Sequence, residues 1–388
     1  MKTIFQDRLK GDPTIWIITF LFIGASIFSV YSFISILAKV EGISPIGQIL
    51  RHLFFILLSL AVMYQASRMS SLNFVKISEL LFYVSIILLL WTLFFGQVIN
   101  GASRWISVFG FTFQPSDLAR LGLVLYLSKQ LTIKKDKLND WKGGMLALLW
   151  PILLVCMLIF TQNFSTALIL FTMSMMLLYI GRVPVSKFIT ILMVGLLMIG
   201  SVVMVHLAFP DKGILPRYET WKNRIVNSYD GKEGTGDLQQ RIANQAIHNG
   251  GLFGQGPGDG KLKQYLPEAY ADFYFASFVE EFGLIFAVVL LFVYLILFQR
   301  IVSIGLKSDK LFDTYACIGI GIIILSQAVI NAMVCAGLFP VTGQNMPLLA
   351  MGGTALLVTC LSLGIVQSIA AKNKKDKSSS NSSNPEFA

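Results

Sequence analysis

Ten stretches of this chain are each apolar over close to twenty residues, the length a helix needs to cross about 30 Å of hydrocarbon. They fall at about 14–38, 49–66, 77–96, 117–132, 145–161, 164–181, 187–208, 272–299, 312–337 and 346–371. A soluble domain cannot bury that much apolar surface. Charged residues make up only 13% of the chain, against about 25% in ordinary soluble domains. The expected fold class is an all-α polytopic membrane protein of about ten transmembrane helices, with one long extracytoplasmic loop, 209–271, between helices 7 and 8. The fourth stretch is the weakest, because Asp117 and Arg120 stand at its start. The fifth and sixth lie a few polar residues apart, which predicts a tight helical hairpin. The first exceeds a signal-peptide apolar core and no small-residue cleavage site follows it, so it reads as a retained anchor. Residues 1–371 read as one transmembrane domain and 372–388 as a basic, then Ser/Asn-rich, disordered cytoplasmic tail.

The net charge of +10 has two readings, nucleic-acid binding or membrane topology, and its placement decides between them. With the N-terminus cytoplasmic, nineteen Lys and Arg fall on inner segments, and only Lys39, Arg51 and Arg104 on short outer loops. Cations accumulate on cytoplasmic loops, while long loops cross largely regardless of charge. The surplus therefore predicts both ends inside and removes the motive for a nucleic-acid partner. Cys156, Cys317, Cys335 and Cys360 all lie inside apolar stretches without C-x-x-C spacing. They read as small core hydrophobes rather than a disulfide framework or a zinc site.

A loop of 63 residues is too long for a plain connector. Within it, 237–251 predicts a helix with an apolar stripe of Leu238, Ile242, Ala243, Ala246 and Ile247, stopped by Asn249-Gly250-Gly251. Residues 251–261 are Gly-rich and end in Lys261, yet the spacing of a Walker phosphate loop fails, since Gln255 and Leu262 stand where Gly and Ser/Thr are needed. A turn is the favoured reading, and backbone amides approaching an anionic head group the rival one.

Three charged clusters follow. Pro267 at a helix start would put Glu268 and Asp272 four residues apart on one helical face. Asp272 would then sit near the outer interface and Glu280 and Glu281 about 12–14 Å deeper. Carboxylates within a span are costly and are functional or paired. For Asp272 a helix-capping role competes evenly with a functional one, while Glu280 and Glu281 read as partners of buried cations or polar groups. At the fourth stretch, Ser116 is placed to cap a helix, Asp117 suits its first turn, and Asp117 with Arg120 can form a local ion pair. Arg104 beside Trp105 reads as an interface anchor.

Taken in order, these pieces resemble the SEDS family, the FtsW/RodA group of peptidoglycan polymerases. The matching pieces are Gly101-Ala102-Ser103-Arg104-Trp105-Ile106, the block from Gln114 through Asp117 to Arg120, and Arg224-Ile225. They continue with residues 250–256, Pro267-Glu268-Ala269 with Asp272-Phe273, Pro340-Val341-Thr342-Gly343, and Gly352-Gly353-Thr354. The chain departs from the family pattern where Asp117 replaces Glu and Arg120 replaces Lys, where Asn163 replaces an Asp, and where Ala350-Met351 replaces Ser-Tyr. The resemblance implies polymerisation of lipid II with Asp272 as the catalytic carboxylate, and Arg104, Gln114, Asp117, Arg120, Arg224 and Glu268 as substrate-binding residues. For the departing pyrophosphate it leaves open arginine charges or a divalent cation, Mg or Mn, near Asp272. It also implies a class B penicillin-binding protein (a transpeptidase) and divisome proteins as partners, in the bacterial cytoplasmic membrane at the septum. Short length and a compact basic C-terminus lean towards the division-type FtsW rather than the elongation-type RodA. The rival class is a lipid II flippase, but the sequence lacks the paired Pro/Gly-broken spans in corresponding halves that inverted-repeat transporters tend to have.

Overall fold

A computed structural model describes residues 9–41, 44–99, 102–108, 111–209, 235–351 and 353–382. Ten long helices match the ten apolar stretches: α1 (Pro13–Glu41), α2 (Pro45–Arg68), α3 (Ser71–Phe95), α4 (Pro115–Ile133), α5 (Leu146–Phe160), α6 (Phe164–Ile180), α7 (Val185–Ala208), α9 (Tyr274–Leu306), α10 (Leu311–Cys335) and α11 (Gly353–Ser382). The outer-loop helix, α8, spans Thr235–Gly250. Among the described residues, eight helices are long and apolar enough to cross a membrane. α4 and α6 fall short of that standard: α6 has 17 residues, and α4 carries Asp117, Arg120 and Lys129. The last helix begins at Gly353, not at 346. Leu348 takes a left-handed φ of 65°, and residues 340–346 run irregularly into a turn at 347–349 ahead of the helix. The same helix continues to Ser382, through the basic segment and the first residues of the Ser/Asn-rich stretch.

Packing divides the chain into two compact units, Met1–Phe74 with Gly236–Ala388, and Val75–Thr235. In the first, α11 lies close along α2. A Cβ on Gly364 would collide with Met63 and Ala66, and one on Gly353 with the Phe55 ring. Without a hydrophobic drive between membrane helices, such small residues allow the close backbone contact that holds them together. α9 and α10 pair in the same way, with Gly321 against Phe298 and Gly305 against Cys317.

At one end of this unit three helices are tied by polar groups. Asp12 caps α1 by accepting the Thr14 amide at 2.9 Å, and its other oxygen accepts from Arg300 Nε at 2.9 Å and Nη2 at 2.6 Å. Gln367 on α11 donates to the Asp12 carbonyl at 2.8 Å and accepts its amide at 2.6 Å. Burial alone would raise the Asp12 pKa, but Arg300 and the Thr14 and Ile15 amides outweigh it and hold the carboxyl below its ordinary 3.8. A carboxylate with a lowered native pKa stabilises the fold above the unfolded value and loses that contribution as pH falls through the native one. Asp12→Ala is therefore expected to cost about 1–2 kcal/mol at neutral pH, as loss of a helix cap does. Thermal unfolding in detergent checks this, and the gap to wild type should close below pH 3.8.

In the second unit, Phe82 stacks on Tyr126 with ring centroids 4.3 Å apart, and Trp150 meets the Phe82 ring edge-on at 5.6 Å. α5 and α6 form the expected hairpin. Asn163, which stands where the family pattern has a carboxylate, caps α6 by accepting the Thr166 amide at 3.2 Å. α7 buries only Ile191.

One element has no counterpart among the expected spans. Three short strands form an antiparallel sheet in the order β1 (Gln97–Ile99), β2 (Ala102–Val108), β3 (Phe111–Phe113). Gln97 pairs with Trp105 and Ile106 with Phe113. Asn100-Gly101 and Phe109-Gly110 between short β-branched and aromatic runs are the sequence signal for it.

Candidate functional site

The helix expected from Pro267 begins at Tyr274 instead. Glu268 takes a left-handed φ of 56°, and its carbonyl accepts the amides of Ala271 at 3.0 Å and Phe273 at 3.3 Å. The segment is therefore a run of turns, and Glu268 and Asp272 do not share a helical face. Both lie among the buried Ala269, Ala271 and Phe273. The segment is pinned from outside as well. The Met351 amide donates to the Tyr270 carbonyl at 3.1 Å, the Asn331 amide donates to the Asp272 carbonyl at 2.9 Å, and the Tyr274 hydroxyl bonds Ser29 on α1. The backbone that carries Asp272 is held in place while its side chain stays half-buried.

Further along, α9 breaks. Gly283 has φ 85° and ψ 169° inside the helix, which would leave backbone groups unpaired where lipid offers no partner. The Gly-rich loop supplies them. Leu284 N–H donates to the Gly251 carbonyl at 2.9 Å and Ile285 N–H to that of Leu252 at 3.3 Å. In return, the Gln255 and Gly256 amides donate to the carbonyls of Glu280 and Glu281 at 2.9 and 3.0 Å. The loop is thus neither a phosphate cradle nor a free turn, but the missing backbone partner of a broken helix. Side chains complete the joint. Lys263 Nζ donates to Glu281 Oε1 at 2.6 Å, to Ser32 Oγ at 2.6 Å and to the Gly258 carbonyl at 2.9 Å, while Glu280 Oε1 accepts the Lys261 and Leu262 amides at 3.0 Å each. Glu281 is therefore paired with a buried ammonium, and Glu280 accepts two loop amides through Oε1 while its Oε2 is buried without a hydrogen-bond partner among the described residues.

The close approach demands glycine at Gly254, where φ is +84° and a Cβ would overlap the Glu281 carbonyl. Gly254→Ala is expected to cost about 1–3 kcal/mol from strain and overpacking. The check is a lowered melting temperature, with protease cleavage appearing between Gly251 and Lys263.

In the second unit the helix start differs from the one expected. Pro115 occupies the first helical position, so Gln114 is the cap residue and makes no side-chain capping bond. Proline is preorganised for that position, which moves Ser116 into the first turn and out of the capping role. Asp117 and Arg120 do pair, both only 5% exposed. Arg104, half-buried, lies on β2, which packs against α4. Arg224 lies outside the described residues. Among the described residues, no cluster of three or more His, Cys, Asp or Glu could hold a metal ion.

The order of these elements, and the turn that carries the carboxylate, can be compared with known proteins. The model of the FtsW/RodA/SpoVE cell cycle proteins matches residues 13–375. The chain belongs to the FtsW/RodA/SpoVE family. A relative from Enterococcus hirae is 31% identical over 384 residues, 95% of either chain. One from Coxiella burnetii is 31% identical over 334 residues, 84% of this chain and 87% of its own. Both carry the name probable peptidoglycan glycosyltransferase FtsW. A chain from the structure of a peptidoglycan synthase complex superposes with a TM-score of 0.73 at 23% identity, covering 94% of this chain and 99% of its own. The crystal structure of the Thermus thermophilus rod shape determining protein RodA gives 0.64 at 22% identity, covering 94% and 98%. Those likenesses show the fold. In this FtsW/RodA/SpoVE member, Asp272 and the Asp117–Arg120 pair are legible in the sequence. The Lys263–Glu281 pair and Asn331 are not, although Gly283 inside an apolar run is a visible sign of a break.

Proposed function

We propose that the chain is an inverting peptidoglycan glycosyltransferase that polymerises lipid II into β-1,4 glycan strands during cell division. The observation that carries the reading is the half-buried Asp272 carboxylate on a pinned turn at the head of a membrane helix. The 4-hydroxyl of one lipid-linked sugar attacks the anomeric carbon of another. Asp272 takes the hydroxyl proton, the new C–O bond forms, and the bond to pyrophosphate breaks with its electrons leaving on the phosphate oxygen. One displacement on an α-linked donor gives the β linkage. Pyrophosphate is already a good leaving group, so no second carboxylate is needed as an acid, unlike in glycoside hydrolysis. The departing charge needs cations instead, for which Arg104, Arg120 and Arg224 or a divalent cation are the candidates, with Gln114, Asp117 and Glu268 as candidate contacts to the substrate.

The positive residues favour both ends in the cytoplasm and Asp272 at the outer mouth, where a lipid-tethered substrate presents its sugars. A class B penicillin-binding protein and divisome proteins at the septum are the partners of this reading, and the likeness to a chain of a peptidoglycan synthase complex supports the first of them. Purified protein with lipid II in detergent is expected to give glycan strands that lysozyme digests. Lipid II crossing a vesicle bilayer without strand formation would favour a flippase instead.

A further inference from the structure

The amide of Asn331 lies fully buried on α10 and holds the two peptide groups that flank Asp272. Its Oδ1 accepts the Phe275 N–H at 3.2 Å. That amide is one of the four left without an intrahelical partner at the start of a helix, and the residue preceding α9, Phe273, makes no side-chain cap. Asn331 therefore caps α9 from a neighbouring helix. Its Nδ2 donates to the Asp272 carbonyl at 2.9 Å and to the Gln344 carbonyl at 2.8 Å, with the Ala271 carbonyl at 3.4 Å. One side chain thus joins the catalytic turn, the first turn of α9 and the loop before α11.

We infer that Asn331 is a positioning residue for the glycosyl transfer, fixing the backbone on either side of Asp272 so that its carboxylate meets the acceptor hydroxyl. This inference rests on Asp272 being the base. With the carbonyl of Asp272 held and the amide three residues on capped, the carboxylate keeps only its side-chain torsions. The site needs a donor and an acceptor on one short planar group. Leucine of similar size offers neither, aspartate would set a carboxylate against two carbonyls, and glutamine is one methylene too long for a closed site. Without the amide, the Phe275 N–H and the carbonyls of Ala271, Asp272 and Gln344 lose this partner, and the turn can shift by the fraction of an ångström to which proton transfer is sensitive.

Asn331→Ala and Asn331→Ser in the full chain, extracted as monodisperse protein, test this with lipid II polymerisation over a range of substrate concentrations. The expected result for Asn331→Ala is a kcat lower by about 10- to 100-fold with KM changed less than about twofold, the pattern of a misplaced group rather than lost binding. Asn331→Ser, whose hydroxyl keeps one donor and one acceptor, should fall between it and wild type. Wild-type kcat in a folded variant, or a raised KM at unchanged kcat, overturns the inference. Failure of both variants to fold also overturns it, leaving Asn331 a role in folding alone. Asp272→Asn is assayed in parallel. If it polymerises normally, the base assignment falls and this inference with it. If it is inactive while the Asn331 variants turn over fully, only the positioning role is lost.

Discussion

Asp272→Asn is expected to lower lipid II polymerisation by about 10²–10⁴-fold, the usual contribution of a positioned general base. The amide matches the carboxylate in size, so the fold should survive. The carbonyl of Asp272, held by Asn331, belongs to the backbone and is unchanged. Lipid II binding should likewise persist, because the substitution leaves the proposed arginine contacts to pyrophosphate untouched. The loss should therefore appear in kcat, with KM changed little. Asp272→Glu keeps the base but moves it by one methylene on a turn that cannot follow, so activity should return only in part. Strand length on gels after a fixed time, with initial rates from substrate consumption, reads both variants. Wild-type rates in Asp272→Asn would overturn the mechanism.

The second large effect is on stability. Lys263→Met should cost about 3–5 kcal/mol, the range for removing one partner of a buried ion pair. Lys263 and Glu281 are 4% and 6% exposed at their side chains, so the carboxylate left behind has little water to take the place of the ammonium. Three donors of one ammonium are in use, and they hold Glu281, Ser32 and the Gly-rich loop at Gly258. The loss therefore spreads to the loop that completes the broken helix. The double variant Lys263→Met/Glu281→Leu should recover most of the stability, because it leaves no buried charge unpaired. Unfolding in a detergent micelle, followed by circular dichroism, measures all three proteins. A double variant no more stable than Lys263→Met would show that the ion pair is not what holds the joint.

The two effects differ in how far the sequence foretells them. Asp272 stands out in the sequence alone, because an acid at the end of an apolar run is conspicuous in a chain with so few charges. Glu281 stands out too, but its partner does not. Lys263 is one of 31 basic residues, and nothing local marks it as the one buried against a carboxylate 18 positions away. Asn331 is harder still, since it is an uncharged residue in an apolar helix whose partners lie 56 to 60 positions back and 13 ahead. The expected helix at Pro267 failed for a related reason. Local rules favour proline at a helix start, but the cap that fixes the real start comes from another helix.

Apolar length alone located eight of the ten long helices as spans, since in hydrocarbon a backbone must satisfy itself and an isolated segment can do that only as a helix. The tight α5–α6 hairpin and the α8 stop at Gly250 followed from local composition in the same way. What only the tertiary structure decided is where the backbone departs from that rule: the break at Gly283, the turn carrying Asp272 and the late start of α11 at Gly353. Each departure frees amides and carbonyls that only segments distant in sequence can pair, so their positions depend on how the chain packs and not on any local run of residues.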